Sequence, residues 1–321
     1  MKLLFMKFIL FIGIVFWESS ALAQGYSFHK AEKLPEVINT DAEESYPLLS
    51  PDGNTLFFTR FNPINNSSKL LGSDIWKSVK DEQGNWQEAV LMHKSLNNKK
   101  HNVAIGINPL GNRLYLLNAY SGLHKTDVAT YDIEFEDSKP ITSNIPKINT
   151  SDGFLGLYVH PSERIILASM EGDDTYGKED LYVMLKDSSG VWTGPHNLGP
   201  MINTSGFEIS PFLTDDGKTL FFSSNGHGGF GDADIFVTHR LYDTWNVWTR
   251  PTNLGRNINS EKFDAFLTLS RDNQAYFISN KEGGFADIYT ASPVIEQADS
   301  TAVRIQQLIE DAQRLLEQPR E

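Results

Sequence analysis

The feature that most constrains this chain is a short segment that recurs five times at a nearly fixed spacing. Each copy holds Ile or Leu followed by asparagine, and a turn begins eleven residues after every asparagine. The five asparagines are Asn39, Asn97, Asn149, Asn203 and Asn259. A period of about fifty residues in this register predicts an array of identical supersecondary units, because one such unit cannot bury its apolar face alone.

Each repeat has the pattern of a four-stranded antiparallel sheet. In the fourth repeat, runs at 209–214, 219–224 and 234–240 are rich in β-branched and aromatic residues, and a fourth run from 246 contains Trp248. The third strand of every repeat begins at an aspartate, and these are Asp74, Asp127, Asp180, Asp234 and Asp287.

The two ends of the repeat region complement each other. Residues 26–34 match a fourth strand with no preceding three, whereas the fifth repeat stops after its third strand near Pro293. We therefore predict an all-β, five-bladed β-propeller over 24–295 that 26–34 closes, which removes exposed sheet edges. The predicted blades are 45–97, 102–149, 154–203, 208–259 and 264–293. An open solenoid would need caps, and a six-bladed propeller has no spare segment of the right length.

The flanking segments differ from the repeats. Lysines 2 and 7, the apolar run 8–16 and an Ala-Leu-Ala site at 21–23 predict a secretory signal peptide over 1–23. The apolar run is too short to cross a bilayer, so we expect no membrane-spanning segment and a periplasmic or secreted protein, in some settings associated with an outer membrane. The tail 296–321 predicts an amphipathic α-helix that either packs on the propeller or docks a partner.

Composition excludes several kinds of chemistry. The chain has no cysteine and a net charge of −13. It therefore has no disulfide, thiolate metal site or cysteine nucleophile, and its acidic balance argues against nucleic acid as a partner. A G-x-G-x-x-G pattern at 226–231 precedes a predicted strand, not the helix that a dinucleotide loop requires, so we interpret it as a flexible loop. We predict no catalytic residue and no cofactor or metal site, with a Ca²⁺ ion left open at the positions described next.

One set of positions varies inside the repeat. Five residues after the repeat asparagines lie Glu44, Asn102, Glu208 and Asp264, with Phe154 in the third repeat. Ring closure predicts that these side chains meet at one mouth of the central channel, where they would bind a Ca²⁺ ion or a cationic or polyhydroxylated ligand. The alternative is that they bond neighbouring backbone. The recurring Asn and Asp residues are predicted to be structural, because each occupies the same place in its own blade. The second-to-third strand loops, which vary in length, are predicted to surround the same mouth.

The turn Ser50-Pro51-Asp52-Gly53 followed by Thr-Leu-Phe-Phe, together with Gly-Gly-Phe-x-x-Asp-Ile-Phe at 228–236, resembles the TolB-type, WD40-like β-propeller repeat. In many relatives such repeats lie beside an OmpA-type domain, so the resemblance implies an envelope-associated binding scaffold. Our main hypothesis is accordingly a non-catalytic scaffold that binds an envelope protein or a glycan. The alternatives are a polysaccharide-active enzyme, hydrolase or lyase, that uses the channel-mouth carboxylates, and a complex subunit recruited through the C-terminal helix.

Overall fold

A computed structural model describes residues 26–294 with gaps at 65–66, 98–100, 118–127, 136–137, 146–147 and 149–154. The predicted signal peptide, the predicted C-terminal helix and the repeat residues Asn149, Asp127 and Phe154 lie outside the described residues. No helix of the described part is long and apolar enough to cross a membrane.

The described residues form five four-stranded antiparallel sheets, which confirms the predicted five-bladed propeller. Blade 1 contains β2 (Glu43–Leu49), β3 (Thr55–Ile64), β4 (Ser67–Val79) and β5 (Val90–Leu91). Blade 2 contains β6 (Val103–Ile107), β7 (Arg113–Leu117), β8 (Val128–Asp132) and β9 (Ile141–Thr142). Blade 3 contains β10 (Gly156–Val159), β11 (Ile165–Met170), β12 (Asp180–Lys186) and β13 (Trp192–Asn197). Blade 4 contains β14 (Glu208–Leu213), β15 (Thr219–Ser224), β16 (Asp234–His239) and β17 (Thr252–Asn253).

Blade 5 joins the two ends of the propeller. It contains β18 (Asp264–Leu269), β19 (Ala275–Ser279) and β20 (Asp287–Ala291), and its outer strand is β1 (Glu32–Lys33). Glu32 pairs with Thr290, and Phe28 bridges Pro293. The N-terminal segment therefore completes the last blade as predicted, although the regular strand is only two residues long.

Four of the five outer strands are only two residues long, shorter than the sequence pattern indicates. The fourth strand of blade 4 is Thr252–Asn253, not a strand that starts near 246. Trp248 still contacts the third strand through an isolated bridge to Arg240, and Trp86 bridges Lys80 in the same way. The outer edge faces solvent on one side, so few residues there gain enough burial to hold a continuous ladder.

The repeat asparagine fastens the connector to the third strand of each blade. The Oδ1 atom of Asn203 accepts the Leu181 N–H at 2.8 Å, while its Nδ2 donates to the Leu181 carbonyl at 3.0 Å. Asn259 makes the same pair of bonds with Ile235, at 2.8 and 2.9 Å. Asn97 repeats them with Ile75, at 2.8 and 3.1 Å. In each described case the side-chain amide thus bonds the third strand as a residue of a neighbouring strand would, and we call this arrangement the asparagine clip.

The same clip closes the propeller. Asn39 bonds Ile288, 249 positions away, through Oδ1 at 2.8 Å and Nδ2 at 3.0 Å, and its Nδ2 also donates to the Leu34 carbonyl at 2.8 Å. The structural role predicted for Asn39, Asn97, Asn203 and Asn259 matches these contacts, because the amide satisfies buried backbone groups that would otherwise have no partner.

Five residues after the clip, a backbone bond ties each blade to the preceding one. The donors and acceptors are Glu44 N to Ala286 O, Asn102 N to Ser73 O, Glu208 N to Glu179 O and Asp264 N to Ala233 O, with N···O distances of 2.6–3.0 Å. Each acceptor is the residue before a recurring aspartate. The number of residues between the asparagine and the inner strand is therefore constant because hydrogen bonds hold the connector at both ends. The asparagine side chain forms the bonds at one end, and this backbone bond forms the other.

Apolar side chains fill the spaces between neighbouring blades. One buried cluster contains Phe28, Phe221 and Phe277, so it combines the closing strand with blades 4 and 5. Others lie between blades 5 and 1, 1 and 2, 2 and 3, and 3 and 4. The core is thus a series of inter-blade layers arranged around the channel.

Replacing Asn39 with alanine removes three hydrogen bonds and leaves the Ile288 N–H buried without its acceptor. We expect the free energy of unfolding to fall by about 2–4 kcal/mol, measured by urea denaturation. Asn54→Ala, at an exposed turn position, is the control and should change stability by less than about 0.5 kcal/mol. If Asn39→Ala unfolded at the same urea concentration as the wild type, the clip would not stabilise the closure of the propeller.

Candidate functional site

Connectors between blades leave one face of the propeller, here called the connector face, and the turns between first and second strands form the opposite turn face. The structure places Glu44, Glu208 and Asp264 at the start of the inner strands on the connector face, as predicted, but their relative exposure is 0 %. Each carboxylate points back at its own connector. Burial therefore separates them from any ligand that approaches this mouth.

The local contacts of the three carboxylates follow one scheme. Glu208 accepts the Thr204 N–H at 2.8 Å and the Thr204 hydroxyl at 2.7 Å. Glu44 accepts the same two groups of Thr40 at 3.2 and 2.7 Å. Asp264 accepts the N–H and hydroxyl of Ser260 at 2.7 and 2.8 Å. They stabilise the connector after the asparagine clip, which is the alternative that the sequence left open.

A basic or imidazole side chain lies against the third-strand aromatic ring of blades 1, 4 and 5, although it comes from a different place in the chain in each blade. In blade 1, Arg60 donates to Glu44 Oε1 at 2.8 Å and to the Ile38 carbonyl at 2.7 Å, and its guanidinium lies 4.2 Å from the Trp76 ring centroid. In blade 5, Lys281 Nζ lies 3.7 Å from the Tyr289 ring centroid. Tyr289 and Trp76 occupy the same place in the third strand of their blades.

In blade 4 the equivalent group is His227. Its Nε2 lies 2.6 Å from the Ile202 carbonyl, which is the counterpart of the Ile38 carbonyl, and its ring is 5.3 Å from that of Phe236, the counterpart of Trp76. His227 belongs to the G-x-G-x-x-G pattern, and a Cβ added at Gly229 would collide with the Asp234 carboxylate. This loop is therefore glycine-rich for packing against the strand that follows it.

Burial changes the titration of two of the carboxyls. Burial raises the pKa of Asp264, against lowering by its bonds to Ser279 and Ser260, and the nearby Asp234 raises it further. Burial also raises the pKa of Glu44, opposed by Thr40 and Arg60. These directions indicate groups that are enclosed by the protein.

The remaining predicted residues also have structural partners. Asn102 donates from Nδ2 to the Ser73 carbonyl at 2.8 Å and is fully buried. Asp180 and Asp234 each accept a loop N–H and an outer-strand asparagine amide, and Asp287 pairs with Lys33 at 2.7 Å. Asp74 lies on β4, opposite Arg60 in the ladder.

Among the described residues, no group of three or more His, Asp or Glu side chains could hold a metal ion, so the Ca²⁺ prediction gains no ligand set there.

The centre of the channel is closed by side chains from inner strands. A cavity of about 60 Å³ lies there, lined mainly by apolar groups that include Tyr46, Leu157, Tyr158 and Phe266. The rings of Tyr46 and Phe266 have centroids 4.1 Å apart. Burial raises the pKa of Tyr46 to about 12. The space at this level of the channel has room for only a few water molecules, so the channel is too narrow there for a ligand.

A larger cavity opens on the turn face. Its volume is about 370 Å³, within the usual range for small-ligand pockets, and all five blades contribute to its wall. We call it the funnel. Its polar and charged lining residues include Ser50, Thr214, Asp215, Asp216, Arg271 and Asn273. The sequence prediction had placed the binding face on the other side of the propeller.

Aromatic side chains form part of the funnel wall. Tyr26, Tyr158 and Phe212 line it and are all half-buried. Tyr158 donates from its hydroxyl to the Leu213 carbonyl at 3.1 Å, and its ring is 5.5 Å from that of Phe212. Tyr26 packs edge-on against Phe221, with centroids 4.8 Å apart. These contacts hold the rings in place while leaving part of each exposed to the cavity.

Two charged residues of the funnel lie at a turn position whose residue type differs between the blades. The second residue of the first turn is Pro51, Pro109 or Pro161 in blades 1–3, and proline suits that turn position. In blades 4 and 5 the same position holds Asp215 and Arg271, and all five residues line the funnel. Residue-by-residue comparison of the turns could have revealed these two departures from the sequence alone.

Asp215 and its neighbour have different roles. Asp216 accepts the Thr214 hydroxyl at 2.7 Å and the Lys218 N–H at 3.0 Å, so it stabilises the turn. Asp52, in the equivalent position of blade 1, accepts the Asn54 N–H at 3.1 Å in the same way. Asp215 is exposed and makes no hydrogen bond or ion pair with any described residue. It is thus a carboxylate that faces the funnel without a structural task.

Comparison with known proteins supports the fold. No protein-family model matches the sequence, and a search of curated proteins finds no relative. A solved structure named as a glycoside hydrolase is similar, with a TM-score of 0.55, 13% identity, and coverage of 85% of this chain and 93% of that one. The structure of a BT0996–RGII complex has a TM-score of 0.55, 14% identity and the same coverage. An endo-arabinase from Bacteroides thetaiotaomicron VPI-5482 has a TM-score of 0.48 and 13% identity over 85% of this chain and 99% of that one.

These findings correct the functional prediction. A propeller of this shape is named as a glycoside hydrolase, which contradicts the hypothesis of a non-catalytic scaffold and the expectation that the chain is not an enzyme. At this identity the likeness itself establishes the fold, so the activity must be argued from the residues of this chain. The resemblance to TolB-type repeats stays a prediction.

The opposite pKa shifts of Asp264 and Asp52 predict opposite effects of neutralisation. Asp264 has a raised pKa in the folded state, so its contribution to stability is lost as pH rises through that pKa. The stability of Asp264→Asn relative to wild type should therefore increase as pH rises above about 4, the ordinary range of an aspartate pKa.

Asp52 is the matched control, because hydrogen bonds from Ser50 and Asn54 lower its pKa. Its contribution is complete above the ordinary aspartate pKa and is lost as pH falls through the lowered value, so Asp52→Asn should gain stability relative to wild type below about pH 4 and show no rise above it. Urea denaturation at several pH values measures both. Parallel pH profiles for the two variants would show that Asp264 is not enclosed as described.

Proposed function

We propose that this chain is a glycan-active enzyme whose substrate binds in the funnel on the turn face. The observation that carries the proposal is the replacement of proline by Asp215 and Arg271 at the rim of the funnel. Two adjacent blades thereby place a carboxylate and a guanidinium where the other three have a rigid apolar residue. Repetition does not explain this asymmetry, whereas a site that binds and acts on one ligand does.

The lining of the funnel suits a sugar. Saccharides present hydroxyl groups that need donors and acceptors, and apolar C–H faces that pack on aromatic rings. Ser50, Thr214 and Asn273 supply uncharged polar groups, while Tyr26 and Phe212 supply partly exposed rings. A mainly apolar cavity with a few oriented polar groups is the usual form of a small-ligand site.

Asp215 is the candidate for proton transfer. Glycoside hydrolysis uses two carboxyl groups that flank the scissile bond. Asp215 and Asp216 are the carboxylates on the funnel wall, and Asp216 keeps Oδ2 available while Oδ1 holds the turn. We assign proton transfer to Asp215 because none of its oxygens is engaged, and we assign the supporting carboxylate to Asp216.

Arg271 favours a lyase as the second candidate. A β-elimination from a uronate needs a base and a cation that neutralises the sugar carboxylate. A guanidinium matches a carboxylate through two parallel hydrogen bonds. Arg271 is exposed on the funnel wall and forms no ion pair with any described residue. In that case Asp215 would act as the base.

Full-length protein should release new chain ends from at least one polysaccharide in a panel of arabinan, xyloglucan and homogalacturonan, measured as reducing sugar. Asp215→Asn should lower kcat by about 10²–10⁴-fold, because it removes the transferable proton but keeps the shape of the side chain. Asp52→Asn, in the equivalent turn of blade 1 but outside the funnel lining, should keep activity within about twofold.

The products distinguish the two chemistries. A hydrolase yields saturated sugars, whereas a lyase yields unsaturated uronates that absorb in the ultraviolet and depend on Arg271. Activity that survives Asp215→Asn, or no release from any member of the panel, would overturn the proposal.

A further inference from the structure

We propose that the funnel is a blind pocket that accepts only the end of a glycan chain, so that cleavage is exo-acting. This inference rests on the proposed function and adds the direction from which the substrate enters. It depends on what closes the channel beneath the funnel, and that closure can be followed residue by residue.

The floor of the funnel is built from the inner strands of two neighbouring blades. Tyr46 on β2 and Phe266 on β18 project into the channel, with ring centroids 4.1 Å apart and an interplanar angle of 47°. Both residues lie at an irregularity in the first-to-second strand ladder, between Ser45 and Leu48 and between Ala265 and Thr268. A bulge re-aims side chains, and here it directs two aromatic rings toward the channel axis.

The backbone of these bulges is held in an unfavourable conformation. Tyr46, Ser210 and Phe266 have φ values of 51°, 49° and 57°, although none is glycine. A non-glycine residue in this region costs about 1–3 kcal/mol and persists only where its surroundings enforce it. Positive φ angles therefore occur at three equivalent residues at one level of the channel. The floor lowers the stability of the fold there, and its surroundings must compensate.

Hydrogen bonds fix the floor between blades. The Phe266 N–H donates to Ser210 Oγ at 3.1 Å, and that hydroxyl donates to Ser223 Oγ at 3.0 Å. Phe266 therefore depends on the bulge of blade 4 as well as on its own. The floor cannot shift aside without breaking an inter-blade contact.

The space below the funnel is too small for a sugar. The cavity at the floor has a volume of about 60 Å³, enough for a few water molecules, against about 370 Å³ for the funnel above it. The two share Leu48, Tyr158, Phe212 and Thr268, so they follow one axis. A glycan that enters from the turn face meets the floor and cannot continue.

The wall of the funnel also disfavours an internal segment of a polymer. Residues of all five first turns or strand ends line it, so the wall surrounds the axis on every side. A polymer bound through its middle needs two exits. A pocket walled by every blade and closed at its base offers one, which suits a chain end.

The test is a time course on linear hexasaccharides of arabinose and of galacturonic acid, each labelled at the reducing end. We expect one short product of constant size from the first minutes, with the labelled oligosaccharide shortening stepwise. Labelled products of several lengths that appear together while most of the hexamer is still intact would overturn the inference and leave the proposed function intact. Failure to cleave either hexamer or any polymer of the panel defeats the proposed function, and this inference with it.

A floor variant adds a second readout. Tyr46→Ala removes one of the two rings and should lengthen the released product by at least one sugar. Tyr242→Ala is the matched control, because Tyr242 also has a positive φ (59°) but is 82 % exposed and lies outside the funnel lining. A Tyr46→Ala protein that folds and releases the wild-type product would show that the floor does not set the depth of the site.

Discussion

The propeller depends on one buried interaction, the asparagine clip. A side-chain amide has both a donor and an acceptor, so it can satisfy the N–H and C=O of one strand residue as a neighbouring strand would. Asn97, Asn203 and Asn259 use it within a blade, and Asn39 uses it to join the start of the propeller to Ile288 near the end of the last blade. The closing blade is thereby held by the same chemistry as the others, and the propeller needs no special device at its seam.

The clip also explains why the most repetitive polar residues do not form a site. Once the connector is fixed at its asparagine, a carboxylate five residues later can fold back and cap it, as Glu44, Glu208 and Asp264 do. Burying such a group without partners would destabilise the fold, and the connector supplies them, together with Arg60 for Glu44 and Ser224 for Glu208. A functional site can then form only from residues that do not take part in the clip or its connector. Asp215 and Arg271 are such positions, on the face opposite the clips.

Much of the fold could be predicted from the sequence because its determinants are local. Strand alternation, turn residues and the complementary ends of the repeat region are sufficient to predict five blades and closure by 26–34. The short outer strands could not be predicted, since ladder length depends on burial at the rim. The burial of Glu44 and Asp264 also depends on how blades pack, which no single repeat reveals.

The position of the candidate site escaped prediction for a physical reason. The channel narrows at the level of the bulges at Tyr46, Ser210 and Phe266, and a positive φ cannot be inferred from residue types that usually avoid it. The comparison of equivalent turns, in contrast, needs no structure. The sequence has Asp215 and Arg271 where three other turns have proline, and that departure was the available signal.

Native-state hydrogen exchange tests the central claim most directly, because the clipped amides of Ile75, Leu181, Ile235 and Ile288 can be compared within one molecule. If the clip holds the seam as firmly as it holds the other blades, all four amides should exchange with nearly the same free energy of opening, close to that of global unfolding. Exchange of Ile288 by local opening, well below the other three, would show that the closing blade frays independently and would contradict the account.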